Sequence, residues 1–337
     1  NNPFAGNGTT TVTVTDTAHG GVTGDFVTFS GATGTYASTF NAEYQITVTS
    51  ANTYTIVTSI SIAAGTYGGA SVNAAYQINV GPAYAVPLVG WGAGVWGAGT
   101  WSNGGTSLSS IRLWNQNNFG QNLVFGPRGG AMYYWDADTG VTSRGVLASS
   151  LTGASDVPYV QNILFVSDAS RFVFAFGTND PNAIDPVAID PMFVRWSDQE
   201  SVTQWTPAAT NQAGSIRLSH GSEIVTVVQT RQEIVVFTDS SVYSFQYQGP
   251  PVIWSSQLLG DNISIIGQNA AVIASGVIYW MGVDKFYKYD GRIQTLRCDL
   301  RQHIFQDINL SQAAQVFAGT NEGFNEVWWF YPSSGSN

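Results

Sequence analysis

This chain is short of charge, of cysteine and of lysine. Only 10% of its 337 residues are charged, against roughly a quarter in an average soluble domain. The single cysteine, Cys298, excludes an internal disulfide framework and a zinc site made of cysteine alone. It reads as a small apolar residue rather than a nucleophile. With two lysines, Lys285 and Lys288, and a net charge of −10, a general nucleic-acid-binding surface is excluded. Neutralising phosphates takes clustered cations. Passage of DNA along an acidic lumen is a different matter, because such a wall repels the duplex and lets it slide. His19, His220 and His303 stand far apart, outside any HxH or HExxH spacing, and give metal binding no support. No apolar run reaches about 18 residues, so no membrane-spanning segment is expected. No signal peptide shows either. The chain begins at Asn1 and ends soon after Glu326–Tyr331, so both ends read as trimmed.

What the chain does hold is glycine, at 37 residues, and aromatics, at 13%. Threonine, serine, valine and asparagine are common, whereas the helix formers Lys, Glu and Leu are scarce. That balance predicts an all-β protein with many turns. Such a weakly charged surface suits a protein that packs against copies or partners.

The clearest stretch runs from Glu223 to Gly291. Ile234–Phe237 turns at Thr238-Asp239-Ser240-Ser241 and returns through Val242–Phe245. Val277–Met281 turns at Gly282-Val283-Asp284-Lys285 and returns through Phe286–Tyr289. Apolar runs around short Asp/Ser/Gly turns predict β-hairpins. Similar pairs are expected at Leu123–Phe125 with Met132–Asp136, and at Ile163–Val166 with Phe172–Phe176. Phe193–Trp196 is expected to turn toward Trp205, and Glu326–Tyr331 to open a last hairpin. The marks Phe125, Phe165, Trp196, Phe237, Trp280 and Trp329 lie 40, 31, 41, 43 and 49 residues apart. A period near 40 made only of strands predicts a β-propeller, here of five to seven blades.

Residues 1–81 carry five or so short alternating strands, among them Thr9–Thr15 and Glu43–Thr49, and predict a small β-sandwich or barrel module. His19 before Gly20-Gly21 reads as a turn residue. Residues 82–110 form a Gly/Trp-rich linker ahead of a propeller-like domain at 111–337. Its Trp91, Trp96 and Trp101 repeat every five residues, a period of neither helix nor strand. They either seal a seam in their own fold or form a subunit interface.

Chemistry is hard to find. Asp180, Asp185 and Asp190 each precede a proline, and each is expected to cap a turn. No Asp-x-Asp-x-Asp-Gly calcium pattern accompanies them. Asp136, Asp239, Asp284 and Asp290 read as turn residues rather than a glycosidase pair. With no GxSxG elbow, phosphate loop or Cys/His pair, no catalytic residue, cofactor site or metal site is assigned, and the chain is expected not to be an enzyme.

Several segments resemble structural proteins of tailed bacteriophages. They are Gln121–Gly130 with Ala131–Asp136, Arg195–Glu200 with Trp205-Thr206-Pro207, Gln229–Glu233, Gly249-Pro250-Pro251, the Gly/Trp segment at 90–101, and Thr15–Gly20. The nearest likeness is to the tail nozzle, or packaged-DNA stabilisation protein, of short-tailed phages. That resemblance implies a propeller-bearing virion subunit in a hexameric ring of its own copies, below the portal and adaptor proteins. DNA would pass through it without sequence-specific binding, and function would lie in assembly, with no cofactor. The alternative is a tail fibre or receptor-binding protein that contacts host-surface glycan through exposed aromatics. A secreted propeller hydrolase is a third reading, and it would need a carboxylate pair that the sequence does not single out.

Overall fold

The structure, a computed structural model, describes residues 2–77, 112–141, 143–167 and 169–334. Trp91, Trp96, Trp101 and the whole 82–110 linker therefore lie outside the described residues. The chain divides into two compact units, Asn1–Gly81 and Pro82–Asn337.

The first unit is two antiparallel sheets, one of five strands and one of three. Thr11–Thr15 alternates exposed and buried, sending Val12 and Val14 into a core with Phe4, Phe29, Phe40, Tyr54 and Ile56. Glu43–Thr49, expected as one strand, is two: Glu43–Gln45 pairs in the small sheet and Thr47–Ser50 in the large one. Ile46 between them is buried in the core, so the chain changes sheets by turning one apolar side chain inward. His19 does the turn work expected of it. The Gly21 N–H donates to its Nδ1 (3.1 Å), which leaves Nε2 to donate to the Ser50 carbonyl (3.0 Å).

Two tyrosines beside His19 carry a measurable consequence. Tyr76 Oη lies 2.5 Å from Asp16 Oδ2 and 3.0 Å from Tyr54 Oη. Burial pushes the Tyr54 hydroxyl up to about 12 from 10.0; the bond from Tyr76 opposes the shift and the Asp16 charge adds to it. Because the folded state holds this proton more tightly, stability is full below pH 10 and falls as pH rises toward 12. Urea melts of the protein between pH 8 and 12, read by circular dichroism, should show that decline. Tyr76 is raised as well, so Tyr54→Phe should make the decline shallower without removing it, and an unchanged slope in that variant would refute the assignment.

Among its described residues, the second unit is a series of four four-stranded antiparallel sheets followed by a two-stranded one. In each, the strands follow one another in sequence order. Trp114–Phe119, Gln161–Val166, Ile224–Gln229, Ala271–Ala274 and Phe317–Asn321 are the first strands, and each lies against the next. The sheets are thus blades arranged around their first strands, as a propeller requires.

Polar side chains tie these inner strands together. Asn115 and Asn117 donate from the first blade to the carbonyls of Asn162 and Leu164 in the second. Arg128 reaches the carbonyls of Ile224 and Val225 and the Gln268 side chain, which in turn donates to Asn115. Burial lowers the Arg128 pKa, and Glu223 opposes the shift.

Between neighbouring blades lies apolar core. Val124, Leu164, Val166 and Val173 fill the seam of the first and second blades. Phe174, Phe176, Val236 and Phe245 fill the next, and Val235, Phe237, Trp280 and Met281 the one after. Ile234–Thr238 is buried at every position. Its alternate residues point to opposite faces, and both faces are covered by a blade. This is why such strands read as continuous apolar runs rather than as alternation.

The spacing marks need one correction. Phe125, Phe237, Trp280 and Trp329 do occupy the second strands of the first, third, fourth and fifth blades, but Phe165 and Trp196 both belong to the second blade, on its first and third strands. Their blade is lengthened by the loop at 180–188 and by an excursion at 197–213. Trp196 does not turn back through Trp205. Its strand, Ile189–Trp196, pairs with Gly214–Arg217 instead. Gly214 allows this, since a Cβ there would stand 2.4 Å from the Trp196 ring. Glu326–Tyr331 likewise does not open a hairpin. Glu326–Phe330 closes one begun by Phe317–Asn321.

Candidate functional site

Among the described residues, the hairpin of the fifth blade carries a contiguous set of exposed aromatics. The exposed aromatics among the described residues are Tyr159, Tyr247, Phe317, Phe324, Trp328 and Phe330. Four of those six belong to this hairpin and its turn. Scattered exposed apolar residues are ordinary, whereas a contiguous set asks for a reason.

The geometry follows from strand register. Phe317 pairs with Phe330, Gly319 with Trp328 and Asn321 with Glu326, so these six share one face. The opposite face carries Trp329, which packs into the fourth blade against Phe286 and donates its Nε1–H to the Ala270 carbonyl (3.0 Å). The outward rings are 47%, 49% and 46% exposed for Phe317, Trp328 and Phe330. Phe317 and Phe330 stack at 4.7 Å with planes only 14° apart, and Trp328 stands at 65° to Phe330. Gly319 opposite Trp328 adds no side chain, and a Cβ there would meet nothing within 4 Å. The indole face is therefore open. Its Nε1–H donates to Glu326 Oε2 (3.0 Å), which fixes the ring and keeps a carboxylate at its rim.

An open aromatic surface beside a carboxylate and an amide can do two things chemically. Its π faces take up C–H groups of a flat, partly apolar ligand. Glu326 and Asn321 can then accept or donate hydrogen bonds to hydroxyls. The signal was present in Glu-Val-Trp-Trp-Phe-Tyr, where both alternating faces are aromatic. One face meets the fourth blade, and only the fold shows that the other meets none of the described residues.

The remaining carboxylates of interest behave as turn chemistry. Asp136 accepts from the Asp138 N–H (3.1 Å). Burial pushes the Asp239 carboxyl up, but bonds from the Ser222 N–H and hydroxyl outweigh it and hold the group below the usual range. Asp284 meets Lys285 and Arg301, and Lys288 holds Asp290 low. Asp180, Asp185 and Asp190 each accept from the N–H two residues on. Among the described residues no three His, Cys, Asp or Glu side chains gather where one metal ion could be held. No helix among them is long and apolar enough to cross a membrane.

No family model matches the sequence, and no curated protein matches it. Solved structures do match. The phage phi92 endosialidase aligns over 82% of this chain and 45% of its own, at 13% identity and a TM-score of 0.29. The extracellular domain of a one-component system, BT4673 of B. thetaiotaomicron, aligns over 97% of this chain and 36% of its own, at 12% identity and a TM-score of 0.37. The chain thus spans less than half the length of each. Scores this low assign it neither fold nor activity. The expectation that the chain is not an enzyme is nevertheless corrected: an endosialidase stands among its matches, so a lack of catalysis is not retained as a property of this protein.

Proposed function

We propose that this chain is a tail protein of a bacteriophage virion that contacts carbohydrate on the host surface. The observation that carries the contact is the open Phe317–Trp328–Phe330 face with Glu326 and Asn321 at its edge. The virion setting rests on the resemblance of segments such as Gln121–Asp136 and Arg195–Glu200 to phage structural proteins. Sugar rings present C–H faces that pack on aromatic rings and hydroxyls that seek fixed polar partners, and this face offers both.

The test is binding of the protein to a glycan array and its adsorption to host cells, before and after Trp328→Ala. The substitution removes an exposed ring and should leave the unfolding midpoint unchanged. Binding should fall at least tenfold, about 1.4 kcal/mol. Wild-type binding by the variant would overturn the reading.

A second reading, a ring-forming nozzle subunit, draws on another face. On the first blade Val124 and Tyr134 point into the seam with the second, so by alternation Leu123, Phe125, Tyr133 and Trp135 point away from it. Phe125 and Tyr133 stack there at 5.8 Å, half-buried, with Leu147 exposed beside them. Copies meeting on that face would form the ring, and Leu147→Lys should then reduce the molecular mass in solution. A monomer before the substitution would count against the ring.

A further inference from the structure

A second surface differs from everything around it in charge. Five of the twelve Lys and Arg residues, Lys285, Lys288, Arg292, Arg297 and Arg301, fall within residues 285–301, where Asp290 and Asp299 are the only carboxylates. The chain as a whole carries −10. This cationic segment borders a cleft of about 560 Å³ between the outer edge of the third blade and the fourth blade. Ligand pockets run from roughly 300 to 1,000 Å³.

Lys285 and Arg292 line the cleft, and no acidic residue does. Carboxylates do stand beside the lining, and Glu233 accepts from the Tyr289 hydroxyl (2.6 Å). Asp284, 3.4 Å from Lys285, is shared with Arg301, which also donates to its main-chain carbonyl (2.7 Å). Asp290 pairs with Lys288 at 3.1 Å. The Gln294 amide oxygen, which is neutral, accepts from Arg292 Nε (2.6 Å) and Nη2 (3.1 Å), orienting the guanidinium without cancelling its charge. The rest of the lining suits a small polyhydroxylated ring. Asn262 and Thr295 offer hydrogen bonds, and Ile263 and Ile293 offer apolar surface.

We propose that this cleft binds an acidic saccharide, with a cation at one end of the cleft, Arg292 or Lys285, meeting its carboxylate and Asn262 and Thr295 its hydroxyls. The saccharide class rests on the carbohydrate-contact reading above, but the site is separate from the aromatic face. Lys285 and Arg292 flank opposite ends of the strand Phe286–Tyr289, so each offers the cleft a cation of its own, and a guanidinium is well suited to a carboxylate. A nucleic-acid strand would instead need an extended run of cations with stacking rings beside it.

Calorimetric titration of the whole protein at low ionic strength, with D-glucuronate, D-glucose and inorganic phosphate, decides this. Glucuronate should bind at least tenfold more tightly than either glucose or phosphate. Replacing both Arg292 and Lys285 by Gln should weaken it at least tenfold. Both cations are at the surface, and an unchanged fluorescence unfolding midpoint confirms that the double variant folds. Glucuronate binding that survives the double substitution, or is matched by glucose, overturns the proposal. Phosphate binding as tightly as glucuronate makes the cleft a general anion site and overturns it too, as does tighter binding of a single-stranded oligonucleotide. Failure here with loss of glycan binding in Trp328→Ala leaves the aromatic face standing, and the converse result leaves the cleft standing.

Discussion

Asp156→Ala should cost the second unit about 3–5 kcal/mol, the loss expected when one partner of a buried ion pair is removed. Arg195, only 2% exposed, donates from Nη2 to Asp156 Oδ2 (2.6 Å) and to the Asp156 main-chain carbonyl (2.7 Å). It stands 5.9 Å from the Trp205 ring, and its Nη1 has no hydrogen-bond partner among the described residues. Burial pulls the guanidinium pKa down, and Asp156 pushes it back. Without that carboxylate the cation stays in the seam with its charge unmatched, which is far costlier than losing an exposed pair. Asp156→Asn keeps an acceptor without the charge and should fall between. In Asp156→Ala with Arg195→Met the stranded cation is gone, so much of the loss should return. All eleven tryptophans fall after Gly81, so tryptophan fluorescence in urea follows the second unit alone. A single-variant loss below about 1 kcal/mol, or a double variant no more stable than the single, would sink this account.

Trp280→Ala should lose a similar amount, about 3–5 kcal/mol, for a different reason. The ring is fully buried, edge-on to Phe237 at 5.0 Å and stacked on Tyr287 at 5.3 Å. Its Nε1–H reaches the Ser264 carbonyl at 3.2 Å. Truncation would empty the middle of the seam between the third and fourth blades. Strands fixed by their own ladders on both sides cannot close over such a gap, so the cavity adds to the lost transfer energy. Trp280→Phe keeps a ring in the seam and should lose clearly less. Equal losses for Phe and Ala would mean that the Ser264 bond, rather than packing, is what matters.

Much of this fold was legible because strand pairing is encoded locally. Val277–Met281 and Phe286–Tyr289 lie where the apolar runs and the Gly282–Lys285 turn place them. Thr238 earns its place in the preceding hairpin by accepting from the Ser241 N–H at 2.8 Å. Strands with weaker side-chain signals escaped notice. Phe317–Asn321, with Ala, Gly and Asn in five residues, has little β character of its own and is held by Glu326–Phe330. The outer strand Ile253–Asp261 is half exposed, and its pattern breaks at two register shifts against Ser241–Gly249. The helix Arg301–Asp307 has no side-chain cap at its N-terminus to announce it.

By itself, then, the sequence determined an all-β chain, the hairpins of its blades, the turn roles of Asp239 and His19, and an acidic surface with few charges. Each of these depends on neighbours a few residues apart. The tertiary structure decided what depends on distant neighbours. Phe165 and Trp196 became one blade rather than two, because a loop and an excursion lie inside that blade. Ile46 became a crossing point between sheets. Trp329 was partly buried and Trp328 left open, although they are adjacent and chemically alike, because a fourth blade covers one face of the last hairpin and no described residue covers the other. Lys285 and Arg292 came to line a cleft with Asn262 for the same reason. Periodicity says which residues share a face, and packing alone says what that face meets.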